Sequence, residues 1–129
     1  MKQKTRIAVW ALALLLAAAA AFAQAKTPIE GLWGLEDRGY MQFWVFRGNT
    51  VILLLESEIH AVEGTFTCAD GKISIVVQYA LSALGLSKGT VVDSNYELKD
   101  DGKILIIDGR EFTRMDGLIN EKLLEPQYL

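Results

Sequence analysis

From residue 31 onward the chain runs in short alternating or continuous apolar stretches, broken every few positions by Gly, Asn or Asp. A period of two with frequent turn residues is the pattern of strands and tight turns. It predicts strands near 31–36, 39–47, 50–57, 62–69, 72–79, 90–99, 103–108 and 110–115. These are rich in the β-branched and aromatic residues that pack on a pleated surface. An internal echo supports the reading. Asp70-Gly71-Lys72 and Asp101-Gly102-Lys103 each separate an aromatic-led stretch from an apolar one. Gly48-Asn49 does the same between Phe46-Arg47 and Thr50-Val51 in a looser third copy. Asp-Gly is a strong hairpin signal, because the tight turn needs positive φ. Three successive hairpins without crossover helices make an antiparallel meander.

Laying the copies over one another predicts a buried face. Trp44 and Phe46, Phe66 and Cys68, and Tyr96 and Leu98 share one side of the outgoing strands. Val51 and Leu53, Ile73 and Ile75, and Ile104 and Ile106 are their expected counterparts on the return strands. Alternation then turns Thr65, Thr67, Ser74, Glu97 and Lys99 to solvent. The runs 51–55 and 104–107 are continuously apolar, so both of their faces are expected to be covered. Residues 79–89 break the rhythm. They read either as a connection with one or two helical turns, ended by Gly85 or Gly89, or as a longer strand with a bulge. The tail, with Leu118, Ile119, Leu123 and Leu124, reads as a short C-terminal helix over 117–124 packed outside, or as a frayed end.

Composition changes the picture at the N-terminus. Residues 1–25 hold Lys2, Lys4 and Arg6, no acid, an apolar run from Ile7 to Ala23, and small residues at the exit. That is the three-part layout of a secretory signal with a bacterial look. Cleavage is expected after Ala25, or after Ala23; an uncleaved anchor is the alternative, and the only route to a membrane that the composition offers. The domain is then 26–129, exported to the periplasm or beyond. The leader accounts for the excess in the 51% hydrophobic content, and without its three cations the formal net charge moves from −3 to −6. An acidic domain with no basic patch is not built for nucleic acid. Cys68 is the one cysteine, so no internal disulfide forms and the core alone holds the fold. It reads as a small buried strand residue, or else as a reactive thiol or the site of an intermolecular bridge.

Candidate chemistry is sparse. His60 is the only histidine, and no Ser or Cys lies in a nucleophile motif. Cys68 and His60 lack zinc-ligand spacing. Glu56, Glu58 and Glu63 surround His60, and Glu56 and Glu58 on one face offer at most a weak cation site. No cofactor or metal is expected, and an enzyme working through His60 is the least favoured class. The aromatic residues say more. Trp33, Trp44, Phe46, Phe66 and Tyr96 fall on expected strands, either as core or as the lining of an apolar ligand site.

The start of the domain, Ile29-Glu30-Gly31-Leu32-Trp33-Gly34, carries Gly-x-Trp on the first strand after an exported leader. With the hairpin order and Gly64-Thr65-Phe66, it resembles the lipocalins and the small lipocalin-like bacterial domains of unknown function. The resemblance covers about 29–115. The fold expected is all-β: a small antiparallel up-and-down barrel, as the resemblance implies, or a strongly curled meander of about eight strands, preceded by the signal helix. The resemblance also implies that Trp33 closes one end with a late basic residue across it, for which Arg114 in Phe112-Thr113-Arg114 is the candidate. The expected function is a non-enzymatic exported module for a small apolar or amphipathic ligand, lined by Trp33, Trp44, Phe46, Phe66 and Tyr96, with 79–89 near the mouth. The alternative is a module that binds a protein or envelope component through loops or an edge, displayed by Tyr40, Phe43 or Leu84. A barrel this short can be hollow or filled by its own side chains.

Overall fold

Each turn signal joins two neighbouring strands. The computed structural model describes residues 27–56, 58–117 and 121–129. The expected leader and both cleavage positions lie outside them. The strands are β1 (Gly31–Asp37), β2 (Tyr40–Arg47), β3 (Thr50–Leu55), β4 (Ile59–Ala69), β5 (Lys72–Ala80), β6 (Val91–Lys99), β7 (Ile104–Ile107) and β8 (Arg110–Arg114). Every strand is antiparallel to the next, and β8 returns to β1 to close a barrel. Closure removes exposed strand edges. The turns obey their chemistry: Asp70 and Gly71 both take positive φ, as do Asp108 and Gly109.

The inward face is as the echo predicts for β2 to β6. Phe46, Val51, Phe66, Ile73 and Ile75 are buried inside, with Trp44, Leu53, Cys68, Tyr96 and Leu98 packed against them. Strand β7 departs from the expectation. Leu105 and Ile107 face inward, not Ile104 and Ile106, because Leu98 pairs with Leu105 and Tyr96 with Ile107. The cause is a turn longer by two residues, of which an alignment on Asp-Gly-Lys absorbs only one. Ala69 pairs with Lys72 across two residues, whereas Lys99 pairs with Ile104 across four. Aligning the two copies on Asp-Gly-Lys therefore displaces β7 by one position, and with a side-chain period of two that exchanges its faces.

Two bulges shape β4 and β5. Leu54 pairs with His60 but Leu53 with Val62, so Ala61 is the extra residue. Glu63 pairs with Tyr79 but Gly64 with Val77, so Gln78 is the second. Gly64 is required there, because a Cβ would overlap the Val76 carbonyl. Both expectations for 79–89 hold a part of the outcome: β5 is long and bulged, and a single 3-10 turn follows at Ser82–Leu84. The run in β3 is covered on both sides. Ile52 and Leu54 join Leu32, Phe43 and Val45 in an outer cluster, packed by Met115, Leu123 and Leu124. The tail forms a 3-10 turn, Glu121–Leu124, outside the barrel; 118–120, within the expected helix, lie outside the described residues.

The barrel has two unlike ends. At one, the Gly48-Asn49, Asp70-Gly71 and 100–103 turns meet the segment before β1. Here Ile29 and Trp33 are fully buried, and the indole N–H donates to the Ile29 carbonyl at 2.8 Å. The Arg114 guanidinium lies 4.2 Å from the Trp33 ring centre. It donates to the Gly102 carbonyl at 3.1 Å, the Glu30 carbonyl at 2.9 Å and the Asp116 carboxylate at 3.2 Å. Asp116 also accepts the Leu32 N–H at 2.8 Å. These contacts clamp the weakest seam, since β1 and β8 pair only at Trp33 with Arg114 and Gly34 with Thr113. Nearer the other end the seam is bridged by side chains, Arg110 to Asp37 at 3.0 Å.

Removing the clamp costs a cation–π contact and several charge-assisted hydrogen bonds. Arg114→Ala is expected to lower stability by about 2–3 kcal/mol in urea unfolding. Arg114→Lys restores only part of it, because an ammonium cannot stack and fork together. Equal stability of Lys and Arg forms would contradict this account of closure.

Candidate functional site

Interior side chains become smaller along the barrel. The closed half is filled by Trp33, Phe46, Phe66 and Phe112. Phe66 meets Phe46 edge-on at 5.0 Å, and Trp44 stacks on Phe46 at 5.9 Å. Beyond Trp44 the strands supply Leu53, Val62, Ile75, Val77 and Val92, and the connection after β5 brings Leu84 and Leu86. Together they line a half-open cavity of about 320 Å³ at the open end. Its lining holds no titratable side chain. Such a site binds by burying apolar surface, roughly 25 cal/mol per Å² removed from water, and does no acid–base chemistry.

Of the side chains expected to line a ligand site, Trp44 is the one on the wall of this cavity. Trp33, Phe46 and Phe66 lie in the packed half, and Trp33 belongs to the closing pair with Arg114. Tyr96 is half-buried inside the barrel beside Cys68, which is a free, half-buried thiol. Their hydrogen bond is the foremost cause that pushes the Tyr96 phenol up to about 12; burial and the charges of Cys68 and Asp70 add to it. The aliphatic residues Val62, Val77 and Val92 were not singled out by sequence pattern, because an aliphatic strand residue reads identically as core and as cavity wall; Leu84 and Leu86 come from the connection expected near the mouth, where Leu84 was expected only as a docking residue.

His60 is placed away from the cavity. In a regular strand, residues 60 and 63 face opposite sides, but the Ala61 bulge turns both outward. They are buried beneath the C-terminal tail, and His60 Nδ1 and Glu63 Oε2 are 2.7 Å apart. The Glu63 carboxylate also accepts the backbone N–H of Gln127 at 2.8 Å and of Tyr128 at 2.7 Å. The Tyr128 ring stacks on Tyr79 at 3.9 Å. The Tyr79 phenol is raised above its ordinary value by burial first, then by Tyr128 and Glu63. The group is a latch for the tail. The Glu56 carboxylate is likewise used in the backbone, accepting the Met41 N–H at 3.1 Å. Among the described residues no cluster of three His, Cys, Asp or Glu side chains stands where it would hold a metal. At the closed end, a polar hollow lies beside Thr27, Arg47 and Arg114, but Arg114 is committed to the clamp.

No family model matches the chain, and no curated protein or solved structure is significantly similar to it.

Two measurements check these environments. Because the folded Tyr96 value of about 12 exceeds the ordinary value of about 10, the native state holds this proton more tightly than the unfolded chain does. Its contribution is therefore complete below pH ~10 and is lost as pH rises towards 12. Absorbance titration of Cys68→Ala is expected to show one tyrosine moved back towards 10. An unchanged alkaline profile would remove Cys68 as the cause. For the latch, Glu63→Gln withdraws a buried carboxylate from its donors and is expected to cost about 3 kcal/mol in urea unfolding, with the C-terminal residues open to carboxypeptidase. A loss below about 1 kcal/mol would contradict the latch.

Proposed function

We propose that this chain is an exported, lipocalin-like binding module for a small apolar or amphipathic ligand. The observation that carries the reading is the cavity of about 320 Å³, walled only by apolar side chains and placed at the end that no aromatic plug fills. That volume is at the lower edge of ligand pockets, roughly 300–1,000 Å³. It suits a small apolar molecule or the apolar end of an amphipath. A polar end would remain at the mouth. There the half-exposed Arg110–Asp37 pair offers both charges, and Gln42, opposite Leu35, lies on the inward face. A second reading, docking on an envelope component through loops, is supported by Tyr40 and Leu84, which are exposed at the open end. Phe43, expected with them, is instead buried in the outer cluster.

The test is a titration with N-phenyl-1-naphthylamine, whose emission rises in apolar sites. Saturable enhancement is expected. Val92→Trp, filling the cavity from its wall, is expected to weaken binding at least tenfold, while Val91→Trp, on the outward side of the same strand, leaves it within twofold. Equal binding by both variants, or no enhancement, would overturn the reading.

A further inference from the structure

The exposed large apolar side chains are not scattered over the barrel. Among the described residues they are Tyr40, Ile59, Leu84, Val91, Tyr128 and Leu129. Tyr40 begins β2, Ile59 begins β4, Leu84 lies in the connection after β5, and Val91 begins β6. All four positions adjoin open-end turns. Tyr128 joins them by stacking on Tyr79, the residue before the open-end terminus of β5. The turns at the closed end present the opposite character, with Arg47, Asn49, Asp70, Lys72, Asp101 and Lys103 exposed. Single exposed apolar residues are normal on a protein surface, but four of these six adjoin turns of the same end and none adjoins a closed-end turn, which marks the open end as a contact surface.

We propose that the open end seats on a neutral, zwitterionic lipid surface, with Tyr40, Ile59, Leu84 and Val91 inserted at the headgroup level. This deepens the docking reading above and is independent of whether the cavity holds a ligand. Three observations favour lipid over a protein. The rim residues rise from three separate turns around a mouth, which presents isolated apolar tips instead of one continuous face. Tyr40, the most exposed of them, is a tyrosine, whose amphipathic ring favours the membrane–water interface. Charges of both signs, Arg38, Glu58, Lys88 and Asp108, are exposed between the tips at the level where zwitterionic headgroups carry both signs. The acidic balance of residues 26–129 opposes an anionic surface, so insertion and not charge drives seating.

The experiment uses the full chain with Cys68→Ala and an environment-sensitive fluorophore at Ala83→Cys on the rim or at Lys99→Cys at the closed end. Phosphatidylcholine vesicles, with and without brominated acyl chains, are the probe. The rim label is expected to brighten at least twofold, to be quenched by bromine, and to be indifferent to 0.5 M salt, while the closed-end label stays in water. Tyr40→Ser/Ile59→Ser/Val91→Ser, all at exposed positions outside the cavity wall, is expected to lower the rim signal at least fivefold with unchanged circular dichroism. Any membrane attachment through residues 7–23 is common to all forms, so the seating is read as the difference between the triple variant and its parent. The proposal is overturned if both labels respond alike, if neither does, if binding requires phosphatidylglycerol, or if the rim label is shielded only by a second copy or another protein. Seating that persists in Val92→Trp separates it from failure of the cavity reading.

Discussion

Closure of the barrel between its first and last strands is the constraint on which the other features depend. Those strands share a very short ladder, and a ladder that short does not hold a sheet edge shut. Trp33 and Arg114, directly paired across it, add what the backbone lacks: the indole fills the end of the interior, and the guanidinium covers the ring while it ties the Gly102 turn and the segment before β1 to the seam. Asp116 fixes the clamp from the other side by accepting from Arg114 and from the Leu32 amide. With one end held this way, the barrel does not need to be filled throughout.

The consequence is a gradient along the barrel axis. Aromatic residues near the clamp occupy the interior, and aliphatic ones beyond Trp44 leave about 320 Å³ free. The choice between a hollow and a filled barrel is thus resolved by halves. Polarity follows the same axis, from charged turns at the plugged end to apolar tips around the mouth. Cavity and rim point the same way, which is why a ligand reading and a lipid-surface reading are compatible in one molecule.

The outer face obeys a different economy. A β-barrel turns half of each strand outward, and β3 is apolar on both sides, so something must cover Ile52 and Leu54. The tail after β8 does so with Met115, Leu123 and Leu124, and its last residues are caught by Glu63 and Tyr79. A buried carboxylate is tolerable because His60 and two backbone amides satisfy it. The lone histidine therefore supports a latch, and its position is a product of the Ala61 bulge.

Periodicity and turn residues were sufficient to read an antiparallel meander of about eight strands from the sequence, together with most of its inward face and the apolar cover needed over 51–55; its closure, with Trp33 and Arg114 as the pair, was carried by the resemblance and stood beside an open, curled alternative. Strands, turns and faces are local properties, set by a period of two and by residues that accept positive φ. The remainder was decided in three dimensions. A turn two residues longer, of which the Asp-Gly-Lys alignment absorbs one, exchanged the faces of β7; bulges at Ala61 and Gln78 turned His60 and Tyr79 to the outer side that Glu63 faces; and the cavity arose where small side chains from distant strands faced one another. Register and enclosed volume depend on which residues meet across strands, and a linear pattern carries the identity of each neighbour along the chain but not of the one opposite.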